Sequence, residues 1–353
     1  MVRSTGKLKV LVILMQFDDH QDRDLIDPTD IDTFFQAEGQ DEDLIPTGSI
    51  KTYFWINSYH SLEIDALVVP WRVVGFTERD CLFGKSGMST EFQRCFWPIL
   101  DLLDELHLDP SHAFDWADFD KNVDGFIDSM VVMHSGYGAE WGGIDPNGKA
   151  SDQRIWSHSV AAQEDTWRSP SFMIDVGTYC VTSVFRGVEG NGIARIGVLL
   201  HEMLHTFGLP DLFDLNRSDQ RGGVGFYSIM SDVWRQGTDG MLPGHLDPWS
   251  KIKLGWVNPI QITSDGTYVL QPSAMAPEVF ILDGPYPEGE YLLIENRQAM
   301  SYDEGLPTSG ALIWHIDEDA QLNTEAGGTY QGCCLARKRK TLPGRTCASR
   351  WKV

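Results

Sequence analysis

Apolar positions along the chain follow two different periods. Residues 7–16, Lys-Leu-Lys-Val-Leu-Val-Ile-Leu-Met-Gln, form a nearly unbroken apolar run with β-branched members, which predicts a buried strand. Amphipathic stretches at 47–59 and 90–107 predict helices, and strand-like runs at 63–75 and 127–134 alternate with them. That alternation predicts an α/β (α+β) arrangement, a mixed sheet packed on helices. A helix predicted at about 192–207 differs from these, because Ile196, Leu199, Leu200, Met203 and Leu204 leave it apolar nearly all round. Such a helix is buried. Another helix is predicted at 245–254, where Asp247-Pro248 supplies an N-cap followed by a first-turn proline. From about 260 the pattern changes to short alternating runs at 267–271, 279–282, 291–295 and 311–315, separated by Gly, Pro and Asp. This predicts a β-rich C-terminal portion, with no linker long enough to detach it from what precedes.

The buried helix carries three residues that do not suit apolar surroundings: His201, Glu202 and His205. An unpaired polar group there costs about 1–3 kcal/mol, so each needs a partner. Two histidines four apart project from one helix face, so both imidazoles reach one Zn²⁺, while Glu202 sits beside the metal as a base for its bound water. The plainer alternative is a pair of hydrogen-bonded core histidines. A catalytic zinc takes three protein ligands and keeps one position open. No Glu occurs between Glu202 and Glu278, which nearly closes the option of a glutamate on a later helix. Gly208 suits a left-handed helix end and Pro210 cannot continue the helix, so the chain turns back. Asp211 then arrives six residues after His205, the spacing at which metzincins place their third histidine, and a carboxylate oxygen is a legitimate zinc ligand. Asp214 and His245 remain as substitutes, and either aspartate also suits the role of a turn cap. Downstream, Phe226-Tyr227-Ser228-Ile229-Met230-Ser231 offers a methionine for the underside of the metal, or simply core filler. Tyr227 is a candidate donor to a developing oxyanion, or an ordinary packed tyrosine.

Residues 201–214 read H-E-M-L-H-T-F-G-L-P-D-L-F-D. This resembles the H-E-x-x-H-x-L-G-L-P-D-L-Y-D pattern of the immune inhibitor A family of secreted bacterial zinc metallopeptidases. Further resemblance lies in Lys9-Val10-Leu11-Val12-Ile13-Leu14-Met15-Gln16-Phe17-Asp18-Asp19, in residues 49–62, in Ile155-Trp156-Ser157-His158, and in Trp249-Ser250-Lys251 with Leu254-Gly255-Trp256. Residues 291–297 and Leu312-Ile313-Trp314-His315-Ile316-Asp317 extend it, so the likeness covers roughly residues 7–325. It implies a metalloendopeptidase of zincin type with a metzincin-like centre, in which zinc-bound water attacks the peptide bond and Glu202 carries the proton. It also implies protein or peptide substrates and an extracellular location. On this reading residues 1–258 are the catalytic domain, 259–325 the β-rich portion packed on it, and 326–353 a tail to which the pattern assigns no fold. Two rival readings remain: a zinc hydrolase of non-protein amides or esters, and a calcium-dependent structural or adhesion protein keeping a relic site.

Composition narrows the partners. Among 353 residues, 51 acidic against 28 basic side chains give a net charge of −23, which repels phosphate and argues against a nucleic-acid partner. It suits a calcium-rich medium. No segment approaches the twenty or so apolar residues of a membrane span, and Leu8 to Met15 is too short and too quickly followed by Asp18 and Asp19 to read as a signal peptide. A monomer is expected. The six cysteines have no metal-type spacing, although Cys81 and Cys95 are close enough to bridge a loop in an exported protein. A second metal candidate lies at 118–128, where Asp120, Asn122, Asp124, the Phe126 carbonyl and Asp128 present oxygens at alternating positions around Gly125. Hard Ca²⁺ favours such a set, yet position twelve is Val131 instead of the bidentate glutamate of an EF-hand. The plain alternative is an acidic Asx-turn loop.

Overall fold

The computed structural model describes residues 4–82, 86, 96–110, 115–161, 167–169, 174–190, 192–213, 223–231, 239–284, 286–318, 337–338 and 349–352. The chain divides into two compact units, Met1–Tyr53 with Glu63–Gly208 and Phe54–Leu62 with Leu209–Val353.

The strands of the first unit are β1 (Gly6–Gln16), β2 (Leu62–Val73), β3 (Phe126–Ile127), β4 (Met130–His134), β5 (His158–Ala161), β6 (Asp175–Val176) and β7 (Thr178–Ser183). Five of them make a mixed sheet in the order β2-β1-β4-β7-β5. The central strands β1, β4 and β7 run parallel, and β5 closes one edge antiparallel to β7. A central parallel strand is covered on both faces. Accordingly Val10, Leu11, Val12, Ile13, Leu14 and Met15 are all buried. The helices are α1 (Pro28–Gln36), α2 (Ile50–Asn57), α3 (Glu78–Leu82), α4 (Phe96–Leu108) and α5 (Ile196–Thr206). In α1, Asp27 caps the Thr29 amide and Pro28 opens the first turn, while Ile31, Phe34 and Phe35 face inward. From α4, Ile99, Leu102, Leu103 and Leu106 join the core formed by Leu11, Ile13 and Met15 of β1 with Met130 and Val132 of β4. Helix α5 packs on β7 and β5.

The single strand expected at 127–134 is two. The chain breaks at Asp128-Ser129, where the Asp128 carboxylate turns to accept the Lys121 amide at 2.7 Å. Strands β5 and β7 and helix α1 were not marked by the hydrophobic pattern. Cys81 and Cys180 are buried, whereas Cys95 and the bridge considered for it lie outside the described residues.

The second unit holds α6 (Pro248–Lys253), β8 (Ile260–Gln261), β9 (Thr267–Leu270), β10 (Phe280–Leu282), β11 (Glu290–Arg297), β12 (Gly310–Asp317), β13 (Arg337–Lys338) and β14 (Ser349–Lys352). Its main sheet has the order β13-β12-β11-β10-β8, and β14 pairs with β9. Strands β11 and β12 pair antiparallel from Glu290↔Asp317 to Arg297↔Gly310. Asp247 caps α6 by accepting from the Ser250 amide, as the Asp-Pro signal predicts. Ile262, Leu270, Phe280 and Ile294 form a small core. Within the tail left without a fold, Arg337–Lys338 and Ser349–Lys352 are strands. Among the described residues no helix is long and apolar enough to cross a membrane.

Beyond the ends of β1 and β4 lies a buried ionisable cluster. Glu78 is fully buried and its carboxylate meets Lys149 Nζ at 2.7 Å and His20 Nε2 at 3.5 Å. Burial alone would push its pKa up, but His20, Lys149 and His134 outweigh that and hold it at about 2. His134 is also fully buried and its Nδ1 accepts the Gly136 amide at 3.1 Å, so a neutral ring with its proton on Nε2 fits the site. Burial lowers the His134 pKa from 6.5 to about 3. Both shifts act in one direction. As pH falls below 6.5 the unfolded chain protonates this histidine while the folded chain does not, and below 4.5 Glu78 adds to the loss until pH approaches 2. Denaturant stability should therefore decline from pH 6.5 downward, and His134→Gln should make the part of the decline between pH 6.5 and 4.5 shallower. An unchanged slope in that variant would reject the assignment.

Candidate metal centre

Helix α5 starts after Arg195, which offers no side-chain cap, so packing and not capping holds this helix. Its apolar side chains Leu199, Leu200, Met203 and Leu204 are buried, and they fix the opposite positions, His201 and His205, to one side. The two imidazoles stand edge to face, 4.6 Å between centroids at 85°, with Nε2 atoms 3.1 Å apart. Two nitrogens on a tetrahedral zinc, each at about 2.05 Å, would be ~3.4 Å apart, so the pair is pre-set for a shared ion within a small adjustment. Glu202 lies between them in sequence and is 8% exposed.

The helix ends as its residues require. Gly208 donates to the His205 carbonyl at 2.8 Å and has φ +86°, a conformation that costs glycine nothing. Three residues on, Asp211 reaches back. Ligand atoms of His201, His205 and Asp211 all lie within 4.8 Å of one another, each residue half-buried. A set of two imidazoles and one carboxylate with mixed nitrogen and oxygen donors suits Zn²⁺. Asp214 lies outside the described residues. His245 is fully engaged on one side: its Nδ1 meets Asn57 Oδ1 at 2.9 Å, the same oxygen accepts the Leu246 amide, and Asp303 takes the His245 amide. Burial lowers its pKa to about 3, which keeps the ring neutral.

The segment around Met230 lies directly behind the aspartate. The Leu212 amide, next to Asp211, donates to the Met230 carbonyl at 2.7 Å, and the Leu212 carbonyl accepts from Val224. Met230 is fully buried. Tyr227 ends a 3-10 turn at Gly225–Tyr227, is half-buried, and places its hydroxyl 3.3 Å from Thr308 Oγ1.

In the acidic loop, the oxygens turn onto the loop's own amides: Asp120 Oδ1 and Oδ2 accept from Asp124 and Gly125, Asn122 Oδ1 from Asp124, and Asp124 Oδ1 from Phe126. The last carboxylate differs. Asp128 is 3% exposed, and its second oxygen has no hydrogen-bond partner. Burial, with the charges of Asp120 and Asp124, pushes its pKa up.

Residues 2–257 match the family described as Immune inhibitor A peptidase M6, catalytic domain. The chain is 26% identical over 243 residues to Immune inhibitor A of Bacillus thuringiensis subsp. alesti, covering 61% of this chain and 34% of that protein. It is 26% identical over 203 residues to the pre-pro-metalloprotease PrtV of Vibrio cholerae serotype O1 (strain M66-2), covering 47% of this chain and 20% of that protein. The matches therefore span about a third and a fifth of these relatives.

Among the described residues the geometry gathers Asp211, and not His245, with the two histidines. Removing a group that only supports a ligand costs about 10–100-fold in metal affinity, so Asp211→Ala should weaken zinc by at least the upper end of that range. His245→Gln and Asp214→Ala should fall below it. Competition against a chromophoric chelator measures all three, and zinc loss in either rival with retention in Asp211→Ala would reverse the assignment.

Proposed function

The chain belongs to the immune inhibitor A peptidases of family M6, whose catalytic domain it carries, and we propose that it is a zinc-dependent endopeptidase. The observation that carries this is the convergence of His201, His205 and Asp211 beside a buried Glu202, all inside the matched residues. We propose further that 1–258 is a zincin-type catalytic domain and that the strands from 259 onward form its β-rich extension.

Zinc held by the three side chains would polarise the scissile carbonyl and acidify the attacking water. Glu202 takes the proton of that water and returns it to the leaving amine. Its near-complete burial strengthens the exchange, since a carboxylate shielded from bulk water acts on the reactants alone. Tyr227 is the proposed donor to the developing oxyanion. Its contact with Thr308 is long for two hydroxyls, so the bond is cheaply exchanged. The substrate backbone is assigned to β5. Among the described residues this strand pairs with β7 alone, and α5 packs against both, so its outer row of amides and carbonyls lies on the histidine helix's side of the sheet. A peptide adding there as a strand would be recognised by main-chain bonds, which favours extended protein substrates over small amides or esters.

Calcium is proposed for the loop of Asp120, Asn122, Asp124, Phe126 and Asp128, supported by the unpartnered buried oxygen of Asp128. An extracellular setting agrees with that ion, with the excess of acidic side chains, and with the pre-pro form named for the Vibrio relative. A monomer acting on protein or peptide is the proposed working form.

Two measurements test this. Glu202→Gln should retain zinc while hydrolysis of an unstructured protein such as casein falls about 10²–10⁴-fold, the share general acid–base catalysis supplies. Full turnover in zinc-replete variant would remove Glu202 as the proton carrier, and wild-type cleavage insensitive to chelator would remove the metal. For the loop, protein stripped of metal should melt at rising temperature as Ca²⁺ is added, and Asp124→Ala should abolish most of that rise with zinc retained. A melting temperature indifferent to calcium would return the segment to an acidic turn.

A further inference from the structure

Much of the described backbone between Gly208 and Pro248 is neither helix nor strand, so its amides and carbonyls lack ladder partners and must find others. Several find them on one side chain. Arg297, the last residue of β11, is fully buried and grips Asp303 with two bonds of 2.6 Å, Nε to Oδ2 and Nη2 to Oδ1. Its Nη1 donates to the Tyr227 carbonyl at 3.0 Å, with longer contacts from the guanidinium to the carbonyls of Leu246 and His245, both at 3.4 Å. Asp303 returns the hold by accepting the His245 amide at 3.1 Å.

From Tyr227 the connection continues residue by residue. Ser228 Oγ donates to Asp247 Oδ2 at 2.7 Å and accepts the Met230 amide at 3.2 Å. The Met230 carbonyl then accepts the amide of Leu212, the neighbour of Asp211. Both bonds of the Ser228 hydroxyl are buried.

We propose that Arg297 is a positioning residue for the metal centre, setting through Tyr227, Ser228 and Met230 where Asp211 presents its carboxylate. This rests on the metal-centre reading above. Arg297 lies outside the stretch that matches the family's catalytic domain, so the strands beyond residue 257 become part of the site's framework instead of an appendage. Global stability does not account for the arrangement. A buried ion pair roughly cancels its own desolvation cost, and an apolar core of the same volume would stabilise the fold as well. What an apolar core cannot do is hold three carbonyls at fixed directions, which the planar guanidinium fork does. Glu295, beside Arg297 at 3.2 Å, leaves one buried oxygen unpartnered, a further sign that this cluster is not arranged for stability alone.

The test uses full-length protein loaded with Co²⁺, whose visible absorption reports coordination geometry. Asp211→Ala should change the spectrum; if it does not, the metal-centre reading fails and the proposal with it. Given that change, Arg297→Met should shift the spectrum and speed metal release to a chelator by about 10–100-fold at a temperature where the protein is folded, with kcat lowered more than KM is raised. Arg297→Lys keeps the charge without the fork, so it should recover melting temperature more than metal retention. Ser228→Ala breaks the connection midway without uncovering a charge, and should quicken release several-fold even should Arg297→Met not fold. A Ser228→Ala protein with wild-type spectrum and release rate would overturn the proposal, as would an Arg297→Met protein that differs in melting temperature alone.

Discussion

Two imidazole nitrogens 3.1 Å apart on one helix face set the geometry on which the proposed metal centre depends. Neutral imidazoles so close gain at most one hydrogen bond between them, far less than a shared cation would give. The helix that carries them has no side-chain cap, so α5 depends on the sheet behind it. That sheet in turn is rigid where it must be, at three parallel strands covered on both faces. The edge strands β2 and β5 are the exceptions, each paired on one side among the described residues.

Much of this was legible in the residues. The grouping of His201, His205 and Asp211 was visible because its spacing is dictated by helix geometry and by one glycine, and both effects are local. Strand β1 and the cap of α6 were visible for the same reason: an unbroken apolar run and an Asp-Pro pair each have one physical reading. Strand β7 was not, since Thr178, Thr182 and Ser183 dilute its apolar content, and its burial comes from neighbours remote in sequence. The division at Asp128 was also hidden, because the break comes from one carboxylate turning back onto the Lys121 amide. Arg297 sat in a stretch already noticed for its resemblance, yet nothing in an exposed-looking Glu-Asn-Arg predicts three fully buried side chains. Burial of charge is decided by partners, and Asp303 and the carbonyl at Tyr227 are not readable as partners from sequence alone.

Buried charge recurs in both units and serves unlike ends. Around Glu78, the carboxylate is matched by Lys149 and His20 at distances that favour ionisation, and the expected consequence is acid sensitivity of the fold. Around Arg297 the same ingredients are turned toward backbone carbonyls, and the consequence is directional. The difference lies in what the cation faces, side chains in one unit and, besides the Asp303 carboxylate, irregular main chain in the other.

The ligands are neighbours in the chain, whereas the sheet is assembled from distant parts. Residues 201–211 hold all three proposed ligands, but β1 pairs Leu11 with Met130, and β4 pairs Met130 with Tyr179. Closing a short loop costs little entropy, while remote parallel strands must wait for long loops to close. On the proposed ligand set, an unfolded chain would be able to capture a metal ion before its sheet exists. Metal held by that early loop would bias the helix toward its final form, yet would equally lower the free energy of partly folded states that share it. On that proposal the yield of native protein would depend on when metal arrives during synthesis as well as on how much is present.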